Sequence, residues 1–230
     1  MPPNEPQRLA ALRRFQILDT PAEDEFDALV GLVLHICGVP MAMISLVDED
    51  RQWFKAKAGV ALDETPREIA FCAHAILGQE ALLISDALKD PRFAQNPLVT
   101  GEPFIRFYGG FPLITRDGLE LGALCALDHR PRRLSCEQQE DMKALARQVM
   151  ALFELREANA RLQRAEAKLE TLRPLVPVCA RCNRVRDDRE YWQLVEEYMK
   201  ARGEAEFVDG LCPECREIRV VDGSQSVDSA

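Results

Sequence analysis

The strongest constraint on the fold is a run of 39 residues, from Ser135 to Arg173, that contains neither glycine nor proline. Ser135 followed three residues later by Gln138 has the form of a capping box, so the run predicts a single helix that begins here. A helix of this length is too long to pack on one small domain. It therefore divides the chain of 230 residues into a larger part before it and a smaller part after it.

The second half of this run carries a heptad repeat. One heptad position holds Leu155, Leu162, Leu169 and Val176, and the position three residues later holds Ala158, Ala165 and Leu172. Charges of both signs fill the remaining positions, which is typical of a parallel coiled coil. We predict a coiled-coil signalling helix over residues 154–173 that forms a homodimer. An amphipathic helix that packs back on its own domain is the alternative.

Four of the eight cysteines form two Cys-x-x-Cys pairs near the end of the chain. The pairs are Cys179 with Cys182 and Cys212 with Cys215, and 29 residues separate them. Four thiolates supply the tetrahedral sulfur set that zinc prefers, and they leave no open position for water. The spacing predicts a structural Zn²⁺ in a module over residues 174–217. A rubredoxin-like iron site and a redox disulfide are the alternatives.

The module is too short to bury much of a core, so metal binding would offset that deficit. Apolar residues at helical spacing predict a helix over residues 190–201, between the two cysteine pairs. Residues 218–230 are predicted to be a flexible tail.

Composition and charge argue against two classes of partner. Thirty-eight acidic against 29 basic residues give a net charge of −9, so nucleic-acid binding is not expected. Glycine, proline and polar residues interrupt the uncharged run between Asp27 and Asp48, and acidic residues flank it, so no membrane span is expected. The N-terminal residues lack the features of a signal peptide, which predicts a cytoplasmic protein.

The part before residue 135 shows mixed helix and strand patterns. Thr20 and Pro21 have the form of a helix start, followed by an apolar helical pattern over 22–37. The remaining predicted elements are an antiparallel pair of strands at 41–47 and 52–59, a short helix at 69–77, a strand at 82–85, an irregular stretch at 86–101, and strands at 104–115 and 119–127.

Seven short motifs carry a resemblance to a known family. They are Leu18-Asp19-Thr20-Pro21, Ser45-Leu46-Val47-Asp48, Gln52-Trp53-Phe54-Lys55, Phe71-Cys72-Ala73-His74, Asp90-Pro91-Arg92-Phe93, Phe107-Tyr108-Gly109-Gly110 and Leu121-Gly122-Ala123-Leu124-Cys125. Together with the element order, they resemble the GAF family of small-molecule-sensing domains, in a bacterial subgroup attached to signalling proteins. The resemblance covers about residues 4–155, and we predict a GAF-like sensor domain over residues 4–153. It implies an α+β fold with an antiparallel sheet, helices on one side and a ligand pocket on the other.

The resemblance also implies which residues form the pocket wall. They are Trp53, Phe71, Cys72, His74, Asp86, Phe93, Arg106 and Tyr108. A mainly apolar cavity with a few polar groups suits a small molecule, which the sequence does not identify. The alternative is that the aromatic residues belong to the core. Cys72 and His74 are both residue types that ligate metals, but residues two apart on a helix point in different directions.

The C-terminal segment resembles a small cysteine-rich module found at the ends of bacterial sensor and response-regulator proteins. The matching residues are Leu172, Cys179, Cys182, Arg186-Asp187-Asp188, Tyr191-Trp192, Glu197-Tyr198 and Gly210-Leu211-Cys212-Pro213.

No kinase, cyclase or phosphodiesterase signature follows the sensor part, so we predict a protein with no catalytic residues and no enzymatic activity. In this interpretation a ligand or redox signal changes the packing of the dimer, and the long helix passes the change to the zinc module, which recognises a signalling partner. Two alternatives stay open. One is a redox enzyme resembling the methionine-sulfoxide-reducing GAF enzymes, which would use Cys72 with Cys125 nearby. The other is a dimerisation scaffold without a ligand.

Overall fold

The computed structural model describes residues 2–171, 176–186, 192–194 and 207–216. The chain forms two compact units, Met1–Ala160 and Arg161–Ala230. Within the described part of the chain, no helix has both the length and the apolar character needed to cross a membrane.

The first unit is built on a six-stranded antiparallel sheet. Its strands are β1 (Met41–Val47), β2 (Arg51–Ala58), β3 (Glu64–Pro66), β4 (Leu82–Ile84), β5 (Phe107–Ile114) and β6 (Glu120–Asp128), in the order β3-β2-β1-β6-β5-β4. The two predicted hairpins are confirmed as β1–β2 and β5–β6. Gly118, between β5 and β6, has a φ of 77°, which only glycine adopts without cost. The short strand β3 has no counterpart among the predicted elements.

α-Helices accompany the sheet, and the last of them is the longest. They are α1 (Glu5–Arg14), α2 (Asp24–Cys37), α3 (Cys72–Ala75), α4 (Pro97–Thr100) and α5 (Cys136–Thr171). The capping box of α5 is confirmed: the backbone N–H of Gln138 donates to Ser135 Oγ at 3.1 Å, and the N–H of Ser135 donates to Gln138 Oε1 at 2.9 Å.

The start of α2 differs from the sequence pattern. Thr20 does not cap this helix, because its hydroxyl donates to the Ile17 carbonyl at 2.7 Å and accepts a bond from Lys55 Nζ at 2.9 Å. The helix therefore begins at Asp24, with Glu23 in the extended cap position. Its end is as expected, because Gly38 takes the left-handed conformation with a φ of 60°.

The sheet separates two hydrophobic cores. On one face lie α1, α2 and α5. Their apolar residues, among them Phe26 on α2 and Phe153 on α5, pack against the strand residues of that face and form the helix-side core. On the other face, α3 and the loops cover Phe71, Phe93 and Tyr108, which form the loop-side core. The alternation of strand side chains assigns residues to these faces.

The second unit contains a small sheet. Its strands are β7 (Val176–Cys179), β8 (Arg184–Arg186), β9 (Trp192–Leu194) and β10 (Phe207–Gly210), in the order β10-β7-β8-β9. The predicted helix over 190–201 is wrong at residues 192–194, because their backbone pairs with β8. The rest of that prediction and the predicted tail at 218–230 lie outside the described residues.

Candidate functional site

A small cavity of about 30 Å³ lies in the loop-side core. Its lining residues are Met41, Met43, Gln52, Phe54, Val60, Leu62, Thr65, Phe71, Cys72, Leu98, Pro103, Ile105, Tyr108 and Leu127. This volume corresponds to about one water molecule. Pockets for organic ligands are larger, at roughly 300–1,000 Å³. The cavity therefore accepts a molecule of very few atoms.

Three of the eight predicted pocket residues line this cavity, namely Phe71, Cys72 and Tyr108. Phe93 lies one layer behind them and stacks on Phe71, with ring centroids 4.3 Å apart and planes within 6°. Trp53 belongs to the helix-side core instead, because alternation along β2 turns it away from the cavity.

The three remaining predicted residues lie outside the cavity lining. His74 is exposed and meets the edge of Phe93, with ring centroids 4.8 Å apart. Desolvation of the ring and the positive charge of Arg92 lower the pKa of this imidazole. Asp86 and Arg106 form a two-fold ion pair with distances of 2.8 and 3.0 Å, and Arg106 lowers the pKa of Asp86.

Two buried cysteines from distant parts of the chain meet beside the cavity. Cys72 Sγ on α3 lies 3.3 Å from Cys125 Sγ on β6. Ser45 Oγ donates a hydrogen bond to Cys72 Sγ at 2.9 Å, and Tyr108 Oη donates another at 3.2 Å. Cys72 Sγ thus contacts three hydrogen-bonding groups, those of Ser45, Tyr108 and Cys125.

These contacts shift the pKa values of Cys72, Cys125 and Tyr108 in different directions. Burial opposes ionisation of Cys72, but the hydrogen bonds from Cys125, Ser45 and Tyr108 outweigh it and lower its pKa. Burial, together with the negative charge of the neighbouring sulfur, raises the pKa of Cys125 and of Tyr108 well above their usual values. Of the three groups, Cys72 is therefore the one whose ionisation these contacts favour.

Two side-chain oxygens at the cavity have no hydrogen-bond partner. They are Gln52 Oε1 and Thr65 Oγ1, the buried side-chain oxygens left unpartnered within the described residues. Gln52 is 4% exposed and Thr65 is 5% exposed. The two residues face each other across β2 and β3. Leaving each oxygen unpaired costs about 1–3 kcal/mol, so both point to a small polar occupant.

Sequence reasoning missed Gln52 and Thr65, and it did not place Ser45 in the site. Part of the signal was present, because Gln52 and Phe54 share one strand face and Trp53 occupies the other. Thr65 could not be found in this way, since it lies in a strand of three residues.

The second unit brings its four cysteines together as predicted. The Sγ atoms of Cys179, Cys182, Cys212 and Cys215 all lie within 4.8 Å of one another, and this cluster could hold a metal ion. The Sγ atoms of Cys182 and Cys212 are 3.7 Å apart. A tetrahedron of sulfurs at about 2.3 Å from a central zinc has an edge of about 3.8 Å, so the donor set fits this ion.

The surroundings of these sulfurs differ. Backbone N–H groups, first that of Cys212, lower the pKa of the Cys179 thiol to about 6. Burial raises the pKa of the Cys215 thiol to about 12. Three of the four cysteines are buried and Cys182 is exposed. Beside them, Arg184 forms an ion pair with Glu214 at 2.8 Å.

A charged link joins β2 to α5 in the first unit. Lys55 Nζ donates to Glu23 Oε1 at 2.6 Å, and Arg156 on α5 donates to the same oxygen. Because Gln52 and Phe54 on β2 line the cavity, the same strand contacts the candidate site on one face and this link on the other.

The first unit is thus an α+β domain with an antiparallel sheet, a helical face, and a cavity under loops on the other face. A family model of the GAF domain matches residues 21–152, and the chain belongs to the GAF domain family. This confirms the family and the fold expected for the first unit.

A curated relative of the chain is a cyclic di-GMP phosphodiesterase of Pseudomonas aeruginosa, 42% identical over 160 residues. The match covers 69% of this chain and 27% of the relative, so the chain spans about a quarter of that protein's length. The prediction that the chain has no enzymatic activity is contradicted by this relative, which is named as an enzyme, and we withdraw it.

Two solved structures are similar to this chain at low sequence identity. A free methionine-R-sulfoxide reductase of Neisseria meningitidis has a TM-score of 0.50 and 17% identity, covering 67% of this chain and 88% of its own. The GAF domain of a phosphoenolpyruvate-protein phosphotransferase of Acinetobacter has a TM-score of 0.49 and 20% identity, covering 67% and 98%. At these identities the likeness concerns the fold alone.

Proposed function

We propose that this chain is a GAF sensor that controls the hydrolysis of cyclic di-GMP in response to a very small polar molecule. The observation that carries the proposal is the relative named as a cyclic di-GMP phosphodiesterase, with 42% identity over 160 residues. Identity at this level over a sensory domain supports a shared signalling system. The catalytic activity itself is proposed for the system and not for particular residues of this chain.

The size and chemistry of the cavity support a small polar signal. A volume of about 30 Å³ excludes nucleotides and other organic ligands in this conformation. The unpartnered oxygens of Gln52 and Thr65 require a molecule that forms hydrogen bonds. A diatomic or water-sized molecule satisfies both conditions.

The link between Lys55, Glu23 and Arg156 supports a route from the cavity to α5. A shift of β2 caused by an occupant moves Lys55, and Glu23 couples that movement to Arg156. A ligand acts in this way only if it binds one arrangement of the link more tightly than the other.

The proposal includes a homodimer and a structural zinc ion. Leu155 and Leu162 on α5 are 57% and 58% exposed, as expected for the seam of a coiled coil before its partner is added. The four clustered sulfurs support a closed zinc shell that holds the second unit together. We propose that this unit contacts a protein partner in the same system.

The test measures the cellular concentration of cyclic di-GMP. Cells that lack the gene are compared with cells complemented by the wild-type chain, by Arg156→Met and by Arg147→Met, which replaces an exposed arginine of the same helix. We expect the wild-type chain and Arg147→Met to restore the concentration and Arg156→Met to leave it altered. The proposal fails if deletion of the gene does not change the cyclic di-GMP concentration.

A further inference from the structure

We propose that Cys72 and Cys125 form a peroxide-reactive pair, in which Cys72 attacks hydrogen peroxide and Cys125 resolves the product into a disulfide. This inference rests on the proposed function for its downstream effect, since it names the small polar signal. The chemistry at the two sulfurs is a separate claim that can be tested without cyclic di-GMP.

Several hydrogen bonds converge on one sulfur, that of Cys72. Ser45 Oγ and Tyr108 Oη donate to Cys72 Sγ. The Cys125 thiol lies 3.3 Å away and can donate a third hydrogen bond to Cys72 Sγ in place of its bond to the Ala123 carbonyl at 3.5 Å. A neutral thiol is a weak acceptor, whereas a thiolate accepts several strong hydrogen bonds. Because the thiolate is the reactive form of cysteine, this arrangement prepares Cys72 for attack on an electrophile.

The cavity next to Cys72 provides a place where a peroxide would bind. The cavity borders Cys72 and carries the unpartnered oxygens of Gln52 and Thr65 on its wall. Hydrogen peroxide offers two O–H donors and two acceptor oxygens, and its size is close to that of the cavity. One O–H can donate to Gln52 Oε1 while the Thr65 hydroxyl meets the second oxygen, and the peroxide then lies against Cys72.

Cys125 occupies the position of a resolving thiol. This residue is absent from the cavity lining but lies directly behind Cys72, with 3.3 Å between the sulfurs. A disulfide requires about 2.05 Å, so an approach of little more than about 1 Å forms the bond. Cys72 therefore faces the oxidant, and Cys125 lies behind it as the resolving thiol.

The proposed reaction oxidises the two cysteines with one molecule of hydrogen peroxide. The Cys72 thiolate attacks one peroxide oxygen, the O–O bond breaks, and the product is a sulfenic acid on Cys72 with a hydroxide that takes up a proton to become water. Cys125 then attacks the Cys72 sulfur, the S–O bond breaks, and a second water leaves with the Cys125 proton. Two thiols are oxidised to one disulfide, and one peroxide is reduced to two waters.

The domain provides two matched control cysteines. Cys37 is buried in the helix-side core, where burial raises its pKa to about 11, and Cys136 is exposed at the start of α5. Neither has the convergent donors or the cavity of Cys72, so neither is expected to react at low peroxide concentration.

The experiment treats the full chain, reduced and loaded with zinc, with one equivalent of hydrogen peroxide. Remaining thiols are alkylated, and peptides are mapped by mass spectrometry without reduction. We expect a cross-linked peptide pair containing Cys72 and Cys125, lighter by two hydrogen atoms, in the wild type, in Cys37→Ser and in Cys136→Ser. In Cys125→Ser, dimedone is expected to trap a sulfenic acid on Cys72.

Two further comparisons test the roles of the neighbours. Tyr108→Phe removes one hydrogen bond to the thiolate, and we expect about a tenfold slower reaction. Cumene hydroperoxide is too bulky for the cavity and should react far more slowly than hydrogen peroxide. Recovery of Cys72 and Cys125 as thiols while Cys136 is oxidised would overturn the inference, even if the gene still controls cyclic di-GMP.

If the disulfide forms but the cellular cyclic di-GMP concentration does not depend on the gene, the proposed function fails and the peroxide chemistry stands. The two outcomes are therefore distinguishable.

Discussion

Lys55 and Glu23 form an ion pair of 2.6 Å in which the lysine side chain is completely buried. The ammonium group is fully satisfied, because it also donates to Thr20 Oγ1 and to the Pro21 carbonyl. Glu23 accepts a further bond from Arg156 on α5. Since a buried charge depends on its partner, this pair fixes the position of the loop that precedes α2.

Removing the carboxylate of this pair should strongly destabilise the GAF domain. In Glu23→Ala, Lys55 stays buried without a counter-charge, and we expect a loss of about 3 kcal/mol in the free energy of unfolding. Urea unfolding followed by the fluorescence of Trp53, in a Trp192→Phe background, measures this change. Glu25→Ala, at an exposed position in the first turn of α2, is the matched control and should change the stability by less than about 0.5 kcal/mol. Equal stabilities for the two variants would contradict the argument.

The acid stability of the domain should depend on Glu5. Hydrogen bonds from Arg8 at 2.7 and 2.9 Å, and from Arg67 at 2.6 Å, lower the pKa of Glu5 to about 2. A carboxyl with a lowered pKa in the folded state stabilises the fold above its ordinary value of 4.5, and this contribution disappears as the pH falls towards about 2.

We therefore expect Glu5→Gln to be less stable than the wild type by about 2 kcal/mol near neutral pH. The difference should shrink progressively below pH 4.5 and vanish near pH 2, because protonation then removes the same charge in the wild type. Unfolding curves at a series of pH values provide the measurement. A difference that stays constant across this range would show that Glu5 acts through packing and not through its charge.

The sequence predicted best those features that depend on residues close together in the chain. Strand β1 occurs at Met41–Val47 as its apolar pattern predicts, and the capping box of Ser135 and Gln138 sets the start of α5. The two Cys-x-x-Cys pairs likewise indicate their own cluster, because each pair supplies two ligands from one turn.

The candidate site in the first unit was less predictable, because it depends on strand register. Cys72 and Cys125 are 53 residues apart in the sequence and meet only because α3 packs against β6. Thr65 meets Gln52 through the pairing of β2 with β3. Trp53 was predicted at the pocket wall but lies in the helix-side core, because neighbouring residues along β2 point to opposite faces of the sheet.

The four-cysteine cluster should be required for the fold of the second unit. In the double variant Cys179→Ser, Cys212→Ser, one cysteine of each pair is lost and zinc cannot complete its sulfur shell. We expect the bound metal to be lost, together with protease resistance of the second unit, because metal binding supplies much of the folding free energy. Metal content by elemental analysis and limited proteolysis measure the two effects.

The same double variant should leave the GAF domain folded, with an unchanged unfolding curve for Trp53. Cys136→Ser is the control, because Cys136 is exposed and lies outside the cluster. Metal retained at full occupancy in the double variant would show that other residues hold it.

The oligomeric state should depend on the exposed leucines of α5. Leu162 is 58% exposed and lies one heptad after Leu155, so we expect it to pack against the same position of a second chain. Leu162→Glu introduces like charges into that seam, and the chain should sediment as a monomer where the wild type sediments as a dimer. Leu32→Glu is the matched control, because Leu32 is 47% exposed but lies on α2, outside the heptad repeat. If Leu162→Glu remains dimeric, α5 does not form the coiled coil, and the signal must leave the GAF domain by another surface.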